Sequence, residues 1–169
     1  LTIIFDQYLF FFFSSFTPFT GKVIADKVRM RTTPDLDGHI LNQINKETLL
    51  LIVGEKNDFY AIKPSPETKL YIFRSYVIDN VIEANQVNVR LKPDLNSPIL
   101  GQLKNKQKIE GTVYKNDSKW LEIAPPEGIS FYVAKDYISK AGDASYYALM
   151  TERKEEVSKI LNSAFFITQ

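Results

Sequence analysis

The chain contains two similar stretches, one from about residue 22 to 79 and the other from about residue 80 to 141. Residues of the first stretch recur fifty-nine positions later, and after a small insertion near Ser118 the offset becomes sixty-one. A period of this length is too long for a solenoid repeat and long enough for a very small domain. The sequence therefore predicts two tandem modules, 22–79 and 80–141. The repeat is carried by Val28 and Val87, Arg31 and Arg90, Pro34 and Pro93, Asp35 and Asp94, Ile62 and Ile123, Tyr71 and Tyr132, and Tyr76 and Tyr137.

Composition places the chain among ordinary globular proteins, since 44% of its 169 residues are hydrophobic and 24% are charged. Charge is balanced within each module, with nine basic against eight acidic residues in 22–79 and nine against seven in 80–141. Neither module has the basic surface expected of a nucleic-acid binder, so no nucleic-acid partner is expected. Cysteine is absent, which excludes disulfides, thiol nucleophiles and thiolate metal sites.

The first twenty-one residues differ from the rest of the chain. An apolar run from Tyr8 to Phe13, continued by residues 14–19, is about as long as the core of an export signal and too short for a membrane span of roughly 20 residues. Asp6 stands where a basic region is expected, and no small-residue cleavage motif precedes Gly21. We interpret 1–21 as the remnant of an export signal. The alternative is a packed N-terminal strand.

Each module shows short runs of alternating apolar and polar residues separated by turn residues, which is typical of a small β-barrel. The first strands are predicted at 28–31 and 87–90, and later strands at 49–53, 59–63, 70–73, 108–114, 119–123 and 129–133. Asn57-Asp58 and Asn116-Asp117 are predicted to form tight turns, because Asn and Asp tolerate positive φ. The pattern predicts almost no helix before Gly142.

The periodicity becomes helical after Ala144. Apolar residues fall on one helix face and charged residues on the other, which predicts an amphipathic helix over 143–166 with Asp143 or Ser145 as its cap. Its apolar face must pack on the second module or on a partner, so self-association or partner docking through this helix is a further expectation. The apolar face comprises Tyr146, Met150, Val157, Ile160, Leu161 and Ala164.

Several of these segments resemble the bacterial SH3 family, often called SH3b, in two copies. Val87-Asn88-Val89-Arg90 with Pro93 is similar to the family's opening, and Val28-Arg29-Met30-Arg31 with Pro34 matches it more loosely. Trp120 to Ile123, Phe131 to Val133 and Tyr137-Ile138 are similar to its later strands, whereas the first copy has Phe59 in place of Trp120. The resemblance implies two tandem SH3-like barrels before the C-terminal helix.

The family resemblance also implies an extracytoplasmic, periplasmic or secreted, protein that binds peptidoglycan or a peptide. Both copies depart from the family pattern, because they lack the Ser-Gly before the loop proline and the Gly-Trp pair of the fifth strand. Family ligand contacts are therefore not carried over residue by residue. The acidic loop and paired aromatics that hold a polyproline helix are not recognisable either.

Catalytic motifs are not found in the sequence, and no cofactor is expected. His39 is the only histidine, and the second copy has Pro98 in its place, so a solvated loop residue is the favoured interpretation. Asp35 and Asp94 follow proline, which is typical of turns rather than of catalytic carboxylates. We therefore expect no enzymatic activity and no metal site.

Aromatic side chains are the candidate ligand contacts, because they combine a flat apolar body with a polar tip. A packing role is favoured for Trp120 and Tyr132, and a surface role for Tyr137 and Tyr76 at the barrel ends. Because Asn88 and Trp120 both lie in the second copy, recognition is expected to depend on Tyr137 more than on Tyr76. The full candidate set is Tyr137, Trp120, Tyr132, Asn88, Tyr114, Tyr76, Tyr71 and Tyr60.

The expected function is that of a non-catalytic module that recognises a cell-wall peptide or a protein segment in the bacterial envelope, with no stable membrane span. Two alternatives remain. The chain is the targeting part of a larger cell-wall hydrolase, or it is an assembly protein that docks partners through its C-terminal helix.

Overall fold

The computed structural model describes residues 15–167, and within them the protein is mostly β, with antiparallel sheets and one C-terminal helix. The all-β class and the terminal helix are confirmed. The strands are β1 (Phe19–Val23), β2 (Val28–Arg31), β3 (Ile40–Ile44), β4 (Leu49–Lys56), β5 (Phe59–Ile62), β6 (Leu70–Phe73), β7 (Val77–Ile78), β8 (Val81–Ile82), β9 (Gln86–Arg90), β10 (Ile99–Lys104), β11 (Gly111–Val113), β12 (Trp120–Ile123), β13 (Phe131–Ala134) and β14 (Ile138–Asp143), and the helix α1 is Ala144–Ile167.

Two open sheets and one hairpin organise these strands. A seven-stranded sheet has the order β14-β1-β4-β5-β13-β2-β3, and a five-stranded sheet has the order β10-β9-β6-β12-β11. Strands β7 and β8 form a two-stranded hairpin, and Val81 of β8 also bridges to Lys108. Neither sheet closes on itself, so two closed barrels are not observed.

The two repeats exchange their last two strands, since β14 of the second repeat pairs with β1 and β7 of the first repeat pairs with β8. Strand β13, from the second repeat, pairs with β5 and β2 of the first, so that Tyr132 lies opposite Ala61 and Arg31. Strand β6, from the first repeat, pairs with β12 and β9 of the second, so that Tyr71 lies opposite Glu122 and Arg90. Tyr71 and Tyr132 are equivalent positions of the two repeats. Tyr71 therefore occupies the position in the second repeat that was predicted for Tyr132, and Tyr132 occupies the position in the first repeat that was predicted for Tyr71.

This exchange nests one unit inside the other. The inner unit is continuous in sequence, 70–123, whereas the outer unit joins 19–62 to 131–143. The division predicted between residues 79 and 80 is therefore corrected. It falls at the tip of the β7–β8 hairpin, where Asp79 and Asn80 have φ of 49° and 60°, as a tight two-residue turn requires.

The buried apolar residues separate in the same way. In the outer core, Val133 of the second repeat packs with side chains of the first, and in the inner core, Leu70 and Ile72 of the first repeat pack with side chains of the second. The other inner-core residues are Ile82, Val87, Val89, Leu103, Leu121, Ile123 and Ile129, and the other outer-core residues are Val23, Val28, Leu50, Ile52 and Ile62.

The repeated arginines close the predicted Pro-Asp loops. The Nη1 of Arg31 donates to the Gly38 carbonyl at 2.9 Å, and the Nη1 of Arg90 donates to the carbonyls of Leu95 and Ser97 at 2.7 and 2.9 Å. A guanidinium suits this task because it presents several N–H donors in a rigid plane. The repeat of Arg31 and Arg90 is therefore explained by loop structure.

The predicted N-terminal segment 1–21 overlaps β1, so its boundary with the first module falls inside a strand. Phe19 packs its ring edge against Tyr60, with centroids 5.4 Å apart, and both rings flank the outer core. Residues 19–21 thus follow the alternative of a packed strand. Residues 1–14, which contain the aromatic run of the predicted export signal, lie outside the described residues.

Asp143 caps the helix, as one of the two predicted caps. Its Oδ1 accepts from the Ser145 hydroxyl at 2.6 Å and from the Tyr146 N–H at 3.1 Å, and these bonds lower the pKa of the carboxyl. The helix contacts β1, β4 and β14. It is half-buried at Ala144, Tyr147 and Met150, and every residue from Thr151 to Ile167 is exposed. No helix in 15–167 combines the length and apolarity needed to cross a membrane.

The nested topology predicts which fragments fold. Fragment 64–130 contains the five-stranded sheet and the whole inner core, including Ile129, so it should unfold cooperatively on heating. Fragments 22–79 and 80–141 follow the sequence repeats, and each lacks the strand that completes its sheet in the intact chain, so each should be less stable than 64–130. Circular dichroism melts of the three fragments provide the measurement. Absence of a cooperative transition in 64–130, or a lower melting temperature than those of 22–79 and 80–141, would contradict the nested topology.

Candidate functional site

Three aromatic side chains form a cluster on the inner unit. Because β6 pairs with β12, Trp120 lies opposite Phe73, and their ring centroids are 4.5 Å apart. The Tyr76 ring, in a short 3₁₀ turn after β6, lies 6.3 Å from Phe73. Trp120 is 3% exposed and Tyr76 is 47% exposed. The cluster thus runs from the packed interior to the surface.

Two shallow cavities adjoin at this cluster. One, of about 330 Å³, lies towards β12, and the other, of about 290 Å³, lies towards β9. Both are bordered by Phe73 and Ser75, and we call the two cavities together the groove. The first is lined by Phe73, Arg74, Ser75, Val77, Ser118 and Lys119, and the second by Phe73, Ser75, Tyr76, Gln86, Val87, Asn88, Arg90 and Leu95.

Polar groups accompany the aromatic wall. The Oδ1 of Asn88 accepts from the Nε2 of Gln102 at 3.0 Å, which orients the side chain and leaves its Nδ2 without a partner among residues 15–167. Leu95 is held beside the groove because its carbonyl accepts from Arg90. An oriented amide beside a flat aromatic surface suits an extended ligand that carries both apolar and backbone groups.

The structure brings together only part of the predicted set. Tyr76 and Asn88 line the groove although they come from different repeats, and the buried Trp120 contacts Phe73 of its wall. Tyr137 lies on the outer unit, where its carbonyl accepts from the Ile24 N–H at 3.0 Å and the position equivalent to Phe73 is Ala134. The residue beside the Phe73–Trp120 pair is therefore Tyr76 and not Tyr137, whereas the greater dependence of binding on Tyr137 stays a prediction.

Tyr71 and Tyr114 form a second aromatic pair on the inner sheet, with ring centroids 5.3 Å apart. The Tyr71 hydroxyl donates to Glu122 Oε2 at 3.3 Å, and Lys69 Nζ lies 3.2 Å from Glu122 Oε1. Burial, and after it the Glu122 charge, raise the pKa of the Tyr71 hydroxyl. These interactions occupy the polar tip of Tyr71 within the protein, which favours a structural role.

The remaining predicted residues, Tyr60 and Tyr132, stabilise the outer unit. Tyr60 contacts Phe19 and lies with its ring centroid 5.4 Å from Lys135 Nζ. Tyr132 is half-buried on β13, between β5 and β2. Neither residue borders the groove.

Sequence reasoning missed Phe73, Arg74 and Lys119. A signal was present, because the second repeat has Ala134 where the first has Phe73, so this position is aromatic in only one copy. Nothing in the sequence pairs Phe73 with Trp120, which lies in the other repeat. His39 is exposed in a loop, as predicted. Within 15–167, no three His, Asp or Glu side chains form a metal-binding group.

Comparison of the chain with models of protein families, with curated proteins and with solved structures finds no match.

The burial of the cluster predicts unequal effects on stability. Trp120→Ala removes a buried ring and should lower the free energy of unfolding by about 3–5 kcal/mol. Tyr76→Ala removes a half-exposed ring and should change it by less than about 0.5 kcal/mol. Urea denaturation of both variants measures the difference. Equal destabilisation would show that Tyr76 belongs to the core and is not a free contact surface.

Proposed function

We propose that the protein is a non-catalytic binding module that recognises an extended peptide in the groove of its inner unit. One observation carries the proposal: Phe73 stands between Trp120 and Tyr76 and borders two adjoining cavities. Two adjacent shallow cavities beside a flat wall suit successive side chains of an extended chain better than one compact ligand. The oriented amide of Asn88 supplies a partner for a peptide group of the ligand.

We further propose that the inner and outer units are two SH3-like modules of the bacterial SH3 type. The support is that each unit holds one copy of every repeated strand, even though β6 and β13 are exchanged. Each unit also keeps a 3₁₀ turn, 74–76 or 135–137, before a strand. On this proposal the protein acts in the bacterial envelope, outside the cytoplasm, and its ligand is a cell-wall peptide or a protein segment.

Substitutions of Tyr76 and Tyr137 distinguish binding in the groove of the inner unit from binding at the equivalent position of the outer unit. Tyr76→Ala should weaken peptide binding at least about tenfold, because Tyr76 forms the exposed end of the wall. Tyr137→Ala is the matched control, equally exposed on the outer unit, and should leave binding unchanged. Calorimetric titration measures binding of soluble cell-wall fragments. Binding of the protein to an immobilised peptide library measures recognition of protein segments.

Two results would contradict the proposal. One is loss of binding in Tyr137→Ala with retention in Tyr76→Ala, both variants being folded by circular dichroism. The other is that no peptide or cell-wall fragment binds the intact chain.

Assembly through α1 is a second candidate function, favoured by the exposure of its last seventeen residues. Met150, Val157, Ile160 and Ile167 follow one another at spacings of seven, three and seven, which matches the a and d positions of a coiled coil. Arg153 is a polar residue in this seam. The segment 151–167 has three acidic and three basic residues, so two copies are not kept apart by net charge. We propose a second copy of this chain as the partner.

Sedimentation equilibrium tests this candidate. The intact chain should dimerise at tens of micromolar, because Val157 and Ile160 are 55% and 68% exposed and gain burial in a dimer. Val157→Asp combined with Ile160→Asp should abolish dimerisation, whereas Asn162→Asp on the opposite helix face should preserve it. A monomer at all concentrations would overturn the candidate.

A further inference from the structure

The groove of the inner unit borders two cationic side chains that form no ion pair within residues 15–167. Arg74 and Lys119 both line the larger cavity. Their positions are coupled, because the backbone N–H of Arg74 donates to the carbonyl of Lys119 at 2.8 Å. Among the described residues, neither side chain belongs to one of the ion pairs, which are Lys22 with Glu47, Lys69 with Glu122, Lys106 with Glu83 and Lys135 with Glu55.

Asp117 is the acidic residue nearest to this pair in sequence, and its carboxylate is engaged locally. Its Oδ1 accepts from the backbone N–H of Lys119 at 3.0 Å and its carbonyl accepts from the N–H of Trp120 at 3.1 Å. These bonds shape the turn before β12. They do not pair Asp117 with either cation.

The outer unit contains the same backbone arrangement with different charges. There the N–H of Lys135 donates to the carbonyl of Asp58 at 2.9 Å, so an acidic residue stands where the inner unit has Lys119. Lys135 Nζ is 2.7 Å from Glu55 Oε2, and this hydrogen bond raises the pKa of the ammonium. The outer unit also lacks the aromatic wall, because Ala134 lies opposite Phe59 on the paired strand.

The two units therefore differ in the positive charge that is left without an ion-pair partner, and this charge can select a ligand. The outer unit satisfies its cation internally, whereas the inner unit presents an unpaired Arg and Lys beside Phe73. A planar guanidinium binds carboxylates through two parallel N–H bonds, and a nearby ammonium adds a second attractive charge. Cations that lack an internal partner remain available to an anionic ligand.

We propose that the inner groove is specific for an acidic protein segment, in which a glutamate or aspartate binds Arg74 and Lys119 while a neighbouring apolar side chain packs on Phe73 and Tyr76. This inference rests on the proposed peptide-binding function and adds the charge of the ligand. Apolar contact with Phe73 and Tyr76 supplies most of the buried area, and the two cations raise the affinity for acidic peptides over neutral peptides that bury a similar area.

The test uses two synthetic decapeptides with blocked ends that differ only in charge. One alternates glutamate with valine, and the other alternates glutamine with valine. By titration at about 50 mM salt, the intact chain should bind the glutamate peptide at least about fivefold more tightly, as expected for partly exposed ion pairs. The preference should shrink at about 500 mM salt, because exposed charges are screened.

Variants assign the preference to the groove. Arg74→Gln combined with Lys119→Gln should make the two affinities equal, and Lys119→Arg should keep the preference. Lys135→Gln is the matched control on the outer unit and should leave the preference unchanged. An unchanged preference in the double variant would overturn the assignment of the charge to this pair.

The outcomes separate this inference from the function on which it rests. If both peptides bind equally and Tyr76→Ala abolishes binding, the groove binds peptides but the inference on charge is wrong. If Tyr76→Ala leaves the affinity for the glutamate peptide unchanged, the cations act without the aromatic groove and the proposed function fails. Competition by millimolar inorganic phosphate as strong as that by the glutamate peptide would indicate a simple anion site and overturn the peptide ligand. Tighter binding of soluble cell-wall fragments than of the glutamate peptide would overturn the choice of a protein segment.

Discussion

The position of β6 is the constraint on which the rest of the structure depends. This strand lies in the middle of the five-stranded sheet, between β9 and β12, and its Leu70 and Ile72 side chains are fully buried. Complete burial of an aliphatic side chain contributes about 1.5–3 kcal/mol, so removing this strand would cost the inner core two of its largest contributions. Strand β13 has the same importance for the outer sheet, where Val133 is fully buried between β5 and β2. Each unit is complete only because it holds a strand of the other repeat.

The exchange also makes the two units chemically different. It places Phe73 of the first repeat opposite Trp120 of the second, which builds an aromatic wall, and it places Ala134 opposite Phe59, which does not. The same exchange sets Arg74 beside Lys119 in one unit and Lys135 beside Asp58 in the other. The exchange therefore places the aromatic wall, Arg74 and Lys119 on the inner unit, whereas Lys135 of the outer unit is paired with Glu55. On the proposed function, the inner unit is the one that binds the ligand.

Much of the local structure could be predicted from residue patterns. Strands 28–31 and 70–73 form as predicted, and Asn57 adopts the positive φ expected of its turn. The exchange could not be predicted, because Tyr71 and Tyr132 lie in strands with the same alternation of apolar and polar residues, and each strand could pair within either repeat.

The sequence does contain one signal of the exchange. Asp79-Asn80 between two pairs of aliphatic residues is typical of a hairpin, and a hairpin there is incompatible with a module boundary. The strand predicted over 108–114 is observed only over Gly111–Val113. Its first residues pair elsewhere, because Lys108 bridges to Val81 and the Ile109 N–H donates to the Asn80 carbonyl, next to that hairpin. The apolar face of the helix is predicted to pack on the second module or on a partner, and in the described part of the chain its first two turns are half-buried against β1, β4 and β14.

Selective disulfide formation tests the strand exchange most directly, and the chain suits it because it contains no cysteine. Glu122 lies opposite Tyr71 in the exchanged pairing, whereas it would lie opposite Tyr132 if each repeat kept its own strand. The account predicts that Glu122→Cys combined with Tyr71→Cys forms an intramolecular disulfide under mild oxidation, seen by mass spectrometry of the monomer after proteolysis. Glu122→Cys combined with Tyr132→Cys should remain reduced. Rapid cross-linking of the second pair, with the first pair still reduced, would contradict the exchange and the groove built on it.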